Sequence, residues 1–313
     1  MKPRVTFAVT EVGENAAAGD YFTAVELGKA LHDRFGWEAD YCPKSEGWYE
    51  LSDTDLLIVM VDDYELPSIR NAKPSLLTIA WARNWFERWC TRSWIADYDM
   101  HLASSRRAVD FFSRYAHKRA RLLRLATNPT RFVGESHSVD PSLDFVFTGS
   151  YWESPRDLVA VLQALPRKYR GAIYGKNWEQ VPTLSYLNRG FLSYEKIHEI
   201  YRDAQIVIDD ANHVTKAWGA ANSRIFDALA AGCLVITNSR SVSDEIFGSL
   251  LPVYESSKDL ERLIDSYLSN PGDRDSTQAR LREIVMERHC YKHRAVELGV
   301  YLRSLGGKSI DAF

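Results

Sequence analysis

No run in the 313-residue chain approaches the roughly 20 apolar residues of a spanning helix, so an integral helical membrane protein is not expected. Cysteine is scarce. Cys42, Cys90, Cys233 and Cys290 lie far apart, with neither CxxC nor Cys/His metal spacing. That argues against a zinc finger or a disulfide scaffold and fits single thiols in a reducing compartment. Neither sign of charge dominates: 39 Lys+Arg stand against 42 Asp+Glu, a net charge of -3. A protein whose main task is coating nucleic acid is therefore not expected. The opening MKPRVTFAVTEVGE turns polar too early for a secretory signal peptide, so a cytoplasmic location is expected. Repeats at solenoid periods and low-complexity segments are also missing.

What is present is ordinary globular composition, 45% hydrophobic and 26% charged, in a chain long enough for two domains. Short runs rich in Val, Ile, Phe and Leu alternate with longer amphipathic stretches. Residues 4–9 (RVTFAV), 38–42, 55–60 (DLLIVM), 76–79, 100–103 and 122–125 read as strands. Residues 20–35, 85–95 and 105–116 read as helices between them. The first half thus predicts an α/β domain with a doubly wound parallel sheet. The polar stretch 126–141 (ATNPTRFVGESHSVDP) reads as a linker. The alternation restarts with strands at 144–148, 171–174, 205–209, 234–237 and 251–254. Helices are expected at 155–165, 194–203, 223–231 and 258–269, and the tail beyond 276 reads as helical to about 305. The expected domains are 1–142, Rossmann-like with the linker, and 143–290, Rossmann-like again, facing each other across a cleft. A C-terminal helix in 291–313 is free to pack back on the N-terminal domain.

Four loops follow strands and carry groups able to meet a ligand. The first, residues 11–20, is rich in small residues and ends in Gly19 and Asp20. It is neither G-x-G-x-x-G nor a P-loop, and Asp20 suits a helix cap as well as a cleft-lining acid. In the second, FTGSYWESPRD, Gly149 and Ser150 end a strand and Pro155 suits the first turn of a helix. Arg156 fits either a phosphate contact or a solvated helix position. The third joins Gly175 and Lys176 with the turn at 190–194. There Tyr194 suits either a stacked base or packing. The fourth, DDANHVTKAWGAANSRIFDALAAGCLVITN, is the most informative. Its helix opens at Asn222 and Ser223, is small-sided, and is flanked by Lys216 and Arg224. Free backbone N–H groups beside two cations make a diphosphate site. The alternative is an ordinary capped helix whose Asp227 faces solvent or bonds locally.

At Asp227-Ala228-Leu229-Ala230-Ala231-Gly232, followed by Cys233-Leu234-Val235-Ile236-Thr237, the sequence resembles the group 1 glycosyltransferases of the two-domain GT-B architecture, in their spore-maturation-type branch. The segments Gly190-Phe191-Leu192-Ser193-Tyr194 and Ile200-Tyr201-Arg202-Asp203-Ala204 are similar to the family's region around the donor base. Leu102-Ala103-Ser104-Ser105 and Leu125-Ala126-Thr127-Asn128-Pro129-Thr130-Arg131-Phe132 resemble its last first-domain strands and hinge. The resemblance implies glycosyl transfer from a nucleotide-diphosphate sugar as co-substrate, with no other cofactor and no bound metal. The donor would lie in the second domain and a glycan, lipid-linked or other hydroxyl acceptor in the first. It further implies that Asp227 bonds the donor ribose. Asn222, Ser223 and Arg224 would meet the diphosphate, and Leu192 and Tyr194 the base. With Gly149, Ser150, Arg156, Gly175, Lys176 and Lys216 these make up the expected donor site. Many members carry a second acid eight residues before the first, where this chain has Gly219. Asp209, Asp210 and His213 are the nearby substitutes. Asp20, His213 and Arg224 are the catalytic candidates, with Asp20 first as the base that would deprotonate an acceptor hydroxyl.

The stretch WARNWFERWCTRSW holds four of the nine tryptophans, and residues 101–131 carry eight Lys/Arg against the single acid Asp110. Such a surface stacks on sugars or rests on an anionic bilayer. Alternatively, Trp81, Trp85 and Trp89 at helical spacing pack the core. Gly19, Asp20, Trp81 and Arg83 are the expected acceptor-side residues, and peripheral contact with the inner face of a membrane is an expectation. Two other readings stay open: a nucleotide-sugar epimerase, and a silent nucleotide-sugar-binding or partner module.

Overall fold

The computed structural model describes residues 2–16, 18–116, 118–132, 141–152 and 156–305. Pro155 and much of the predicted linker lie outside the described residues. Two compact units form. One comprises Met1–Leu125 with Tyr291–Phe313, the other Ala126–Cys290.

The first unit is built on a parallel sheet of β1 (Arg4–Val9), β2 (Glu38–Pro43), β3 (Leu56–Val59), β4 (Leu77–Ala82), β5 (Met100–Ala103) and β6 (Arg121–Leu122). Their order is β2-β1-β3-β4-β5-β6. β3, β4 and β5 are buried at every residue, as expected of a sheet covered on both faces. Around it lie α1 (Gly19–Phe35), α2 (Phe86–Cys90) and α3 (Arg106–Tyr115). α1 ends where Gly36 turns left-handed and donates its N–H to the His32 carbonyl. Ser105 caps α3 by accepting the Ala108 N–H at 3.2 Å.

The second unit holds α4 (Pro129–Phe132) and the strands β7 (Leu143–Thr148), β8 (Gly171–Tyr174), β9 (Ala204–Asp209) and β10 (Leu234–Thr237). These run parallel in the order β10-β9-β7-β8. The helices are α5 (Asp157–Ala164), α6 (Ile197–Arg202), α7 (His213–Ala217), α8 (Ser223–Ala230), α9 (Arg240–Phe247), α10 (Ser257–Ser269) and α11 (Pro271–Arg288). The chain then re-enters the first unit as α12 (Tyr291–Arg303), which packs on α1. Gly299 permits the close approach there, since a Cβ would stand 2.8 Å from the Phe35 ring. Arg294 Nε donates to the Arg124 carbonyl at 2.8 Å and Tyr301 to that of Leu122 at 2.9 Å.

Several sequence expectations are corrected. The tail is two helices, broken at His289 and Cys290. Residues 251–254 form only an isolated bridge, Thr237 to Val253. The helix expected at 85–95 spans only Phe86–Cys90, with Trp85 in a left-handed conformation (φ 51°) as its N-cap. Trp81 lies on β4, not on that helix. It is fully buried, with its indole N–H donating to the Leu123 carbonyl at 3.0 Å, so it is a core residue and cannot stack on an acceptor.

Candidate functional site

In the second unit the carboxyl ends of β7, β9 and β10 converge on the start of α8, the place where open parallel sheets bind ligands. α8 opens at Ser223, with Asn222 as a cap residue whose side chain makes no capping bond. Asn222 Nδ2 instead donates to Asp209 Oδ1 at 3.1 Å. Arg224, in the first turn, donates from Nη1 to the same oxygen at 2.7 Å and from Nε to the Thr148 carbonyl. Asp209 Oδ2 accepts from Thr237 Oγ1 at 2.7 Å. The last residues of three strands are thereby tied to one guanidinium, whose side chain is 11% exposed. Arg224 Nη2 is the one arm of that fork with no hydrogen bond among the described residues. It faces Gly149 so closely that a Cβ there would stand 2.6 Å away.

A second buried pair lies beside the first. Arg156 Nη1 donates to Asp210 Oδ2 at 3.0 Å and Nη2 to the Ser150 carbonyl at 3.1 Å. Asp210 Oδ1 accepts from Leu158 N and from Asn238 Nδ2. Both guanidiniums sit over the Phe147 ring, Arg224 at 4.3 Å and Arg156 at 5.6 Å from its centroid. Arg156 is thus neither solvated nor open to a phosphate: its charge is committed to Asp210. Burial raises the Asp210 carboxyl from 3.8 to about 6 despite the attraction of Arg156, and burial likewise lowers the Arg156 guanidinium. Desolvation outweighs pairing here, as is common for buried ion pairs. An acid with a raised folded value binds its proton more tightly when folded. Its contribution is complete below the unfolded value and lost as pH rises through about 6. Asp210→Asn is therefore expected to flatten the fall in stability between about pH 4 and pH 6. Urea midpoints measured across that range check it.

The neighbouring turns are held by backbone. Gly149 N donates to the Tyr174 carbonyl at 2.8 Å, its own carbonyl accepts from Trp178 Nε1 at 2.7 Å, and Ser150 Oγ accepts the Lys176 N–H at 3.1 Å. Lys176 Nζ lies 4.8 Å from the Phe191 ring centroid. Leu192 is half-buried in the segment leading to Tyr194. Tyr194 donates to Asp227 Oδ2 at 3.4 Å, while its ring meets Phe132 edge-on and lies 5.2 Å from the Arg131 guanidinium. Asp227 is 2% exposed, so it does not face solvent, while the alternative in which it bonds locally is met by Tyr194.

Other expected residues are placed differently. Lys216 Nζ pairs with Asp157 at 2.6 Å. His213 is exposed at the first residue of α7. Gly219 has φ 62°, so an acid at the position used by many family members would be strained. Asp209 and Asp210, its nearby substitutes, are buried against the two arginines. In the first unit Asp20 is not the cap of α1, since Ala18 occupies that position. Asp20 is 1% exposed, with Oδ2 accepting from Thr10 N and Oγ1 and Oδ1 from Tyr21 N. Oδ2 braces the loop after β1 and Oδ1 the first turn of α1, which does not suit a base that must reach an acceptor hydroxyl. Gly19 begins α1, with open space where a Cβ would stand. Arg83 directly follows β4.

Sequence reasoning missed Asn238. Its Nδ2 reaches Asp157, Asp210 and the Ala211 carbonyl, and its Oδ1 accepts the Ala211 N–H at 2.8 Å. The only signal was an amide at the end of a buried strand.

The profile of the glycosyl transferase-like family matches residues 141–299, which contain both buried arginine–aspartate pairs and Asp227. The chain belongs to that family. No curated protein matches it in sequence. Among solved structures, sucrose-phosphate synthase from Thermosynechococcus elongatus is similar at TM-score 0.69 and 12% identity, over 97% of this chain and 99% of that one. T4 phage BGT in complex with its UDP-glucose substrate is similar at TM-score 0.67 and 11% identity, covering 98% and 100%. HepE from Anabaena, in complex with UDP and glucose, gives TM-score 0.66 and 9% identity, covering 96% and 100%. At such identities the likeness establishes the fold, which is GT-B, and the family establishes the enzyme class as glycosyltransferase. No helix among the described residues is long and apolar enough to cross a membrane.

Proposed function

We propose that this glycosyltransferase takes its sugar from a nucleoside-diphosphate sugar held by the second unit, and that it lies in the spore-maturation-type branch of the family. Solved neighbours described with UDP or UDP-glucose make uridine the first base to test. The observation that carries the reading is one turn of α8. Arg224 turns its unbonded Nη2 toward Gly149 at the strand ends, and Asp227 lies three residues on, beside the Tyr194 hydroxyl. The diphosphate lies against Arg224 and the backbone at Gly149–Ser150, and the ribose hydroxyls bond Asp227. The base lies near Leu192 and Tyr194. Lys176 is placed to add charge on the phosphate side.

As the glycosyl bond breaks, negative charge grows on the leaving diphosphate. A guanidinium held rigidly by Asp209 and Thr148 needs no rearrangement to meet it, so it stabilises the transition state more than the ground state. The same charge does the work a divalent metal would otherwise do, so a chelator is expected to leave the rate unchanged. His213, exposed at the start of α7, is the remaining catalytic candidate near this site. The first unit takes the acceptor, a glycan, lipid-linked or other hydroxyl, and peripheral contact with a membrane fits the basic stretch around α3.

Asp227→Asn is expected to weaken UDP binding by about ten- to a hundredfold, the worth of a charge-assisted hydrogen bond, with little change in kcat. Calorimetric titration of UDP together with steady-state kinetics checks this. Unchanged binding in a folded variant would remove Asp227 from the donor site. Slow hydrolysis of the donor without acceptor separates this reading from a silent binding module, which would bind UDP and release no sugar.

A further inference from the structure

Two features of the loop between β4 and α2 are unexplained by packing. The Arg83 side chain makes no hydrogen bond and no ion pair with the described residues, and its Nε is buried without a partner. Burial pulls the guanidinium below its usual range. The charges of Asp20 and then Tyr291 oppose this, and the oxygens of Asp20 accept from Thr10 and Tyr21. The residue as a whole is half-buried and only Nε of its three nitrogens is buried without a hydrogen bond among the described residues, so the guanidinium keeps a face that a ligand of opposite charge can pair. Two residues on, Trp85 holds φ 51° and ψ 39°, a strained conformation for a bulky aromatic. That conformation leaves the ring 38% exposed beside the Arg88 guanidinium, while Phe86 and Trp89 on the same helix pack inward. Both features lie at the carboxyl end of a central strand, where open parallel sheets bind ligands.

We propose that this loop recognises an acidic sugar on the acceptor, with Arg83 pairing its carboxylate or phosphate and Trp85 stacking on its ring. The inference rests on the reading that the first unit takes the acceptor. A guanidinium matches either anion with two parallel hydrogen bonds, and an indole face packs against the C–H face of a pyranose. Substrate selection follows from the energetics. A neutral sugar brings no charge to the half-buried Arg83 guanidinium, whereas an acidic one pairs with it.

The test titrates the full chain, by saturation-transfer NMR, with D-glucuronate, D-glucose 6-phosphate and D-glucose, and separately with UDP. At least one acid is expected to bind about tenfold or more tightly than glucose, and the tighter of the two identifies the anion. Arg83→Gln should remove the preference, Arg83→Lys should keep part of it, and Trp85→Leu should weaken all three sugars. UDP binding should be unchanged in each variant. Removing a half-buried charge that makes no hydrogen bond or ion pair with the described residues should leave the melting temperature of Arg83→Gln equal or higher, as for residues kept for function at a cost in stability. Equal affinities for the three sugars, no binding of either acid, or a preference surviving in Arg83→Gln would each overturn the proposal. So would a lower melting temperature in Arg83→Gln, which would make Arg83 structural. Failure of UDP to bind the unaltered chain would instead sink the donor-site reading, and the sugar titrations would still decide this one.

Discussion

Arg224→Ala is expected to lower kcat by about a hundred- to a thousandfold and to lower the melting temperature as well. The two effects have different origins. The kinetic loss comes from removing the fixed cation that meets charge on the leaving diphosphate. The stability loss comes from Asp209, which is fully buried and would keep only Asn222 and Thr237 as side-chain donors. Breaking one partner out of a buried pair typically costs about 3–5 kcal/mol, because the other charge stays behind. Adding Asp209→Asn to the Arg224→Ala variant removes that stranded charge. The double variant should regain much of the lost melting temperature while kcat stays low. If kcat recovers along with stability, Arg224 braces the helix and does not act on the diphosphate.

Gly175→Ala should produce the largest purely steric effect. Its Cβ would stand 2.2 Å from the Gly149 oxygen, 2.5 Å from the Gly149 carbonyl carbon and 2.9 Å from Ser150 N. All three are backbone atoms, so no rotamer change relieves the collision. The turn at Gly149 and Ser150 must move, against its bonds from Trp178 and to Tyr174. Overpacking of this kind costs about 1–3 kcal/mol, and it displaces the backbone expected to meet the diphosphate. Gly175→Ala should therefore melt lower and lose UDP affinity together. Gly272→Ala, in the first turn of α11 with open space where its Cβ would stand, serves as the control and should leave both unchanged.

Most of the fold was legible in the sequence because parallel strands buried on both faces are short apolar runs separated by amphipathic helices. The stretch around Trp81, Trp85 and Trp89 misled for the same reason. A spacing of four suits a helix, yet Trp81 ends a buried strand, and a short apolar run does not declare which it is. At the candidate site, the helix that carries Arg224 and Asp227 was legible because its small side chains leave a recognisable Ala-rich run. The supports of those two residues were not. Arg156 meets an aspartate 54 positions away, and Arg224 reaches the Thr148 carbonyl 76 positions away. Local spacing carries no trace of such pairings. The same blindness made Arg156 and Lys216 look like free cations, although each is matched by a distant acid. Asp20 looked like an acid in reach of substrate, although Thr10, ten positions earlier, already holds it.

The central claim is that the donor nucleotide is held by the second unit, at the start of α8. Amide hydrogen exchange of the full chain with and without UDP locates it directly. Protection is predicted around residues 149–151, 175–177, 192–194 and 222–227, with the amides of residues 4–116 unchanged by UDP. Protection that instead concentrates near residues 10–20 and 83–86, with the start of α8 unaffected, would contradict it.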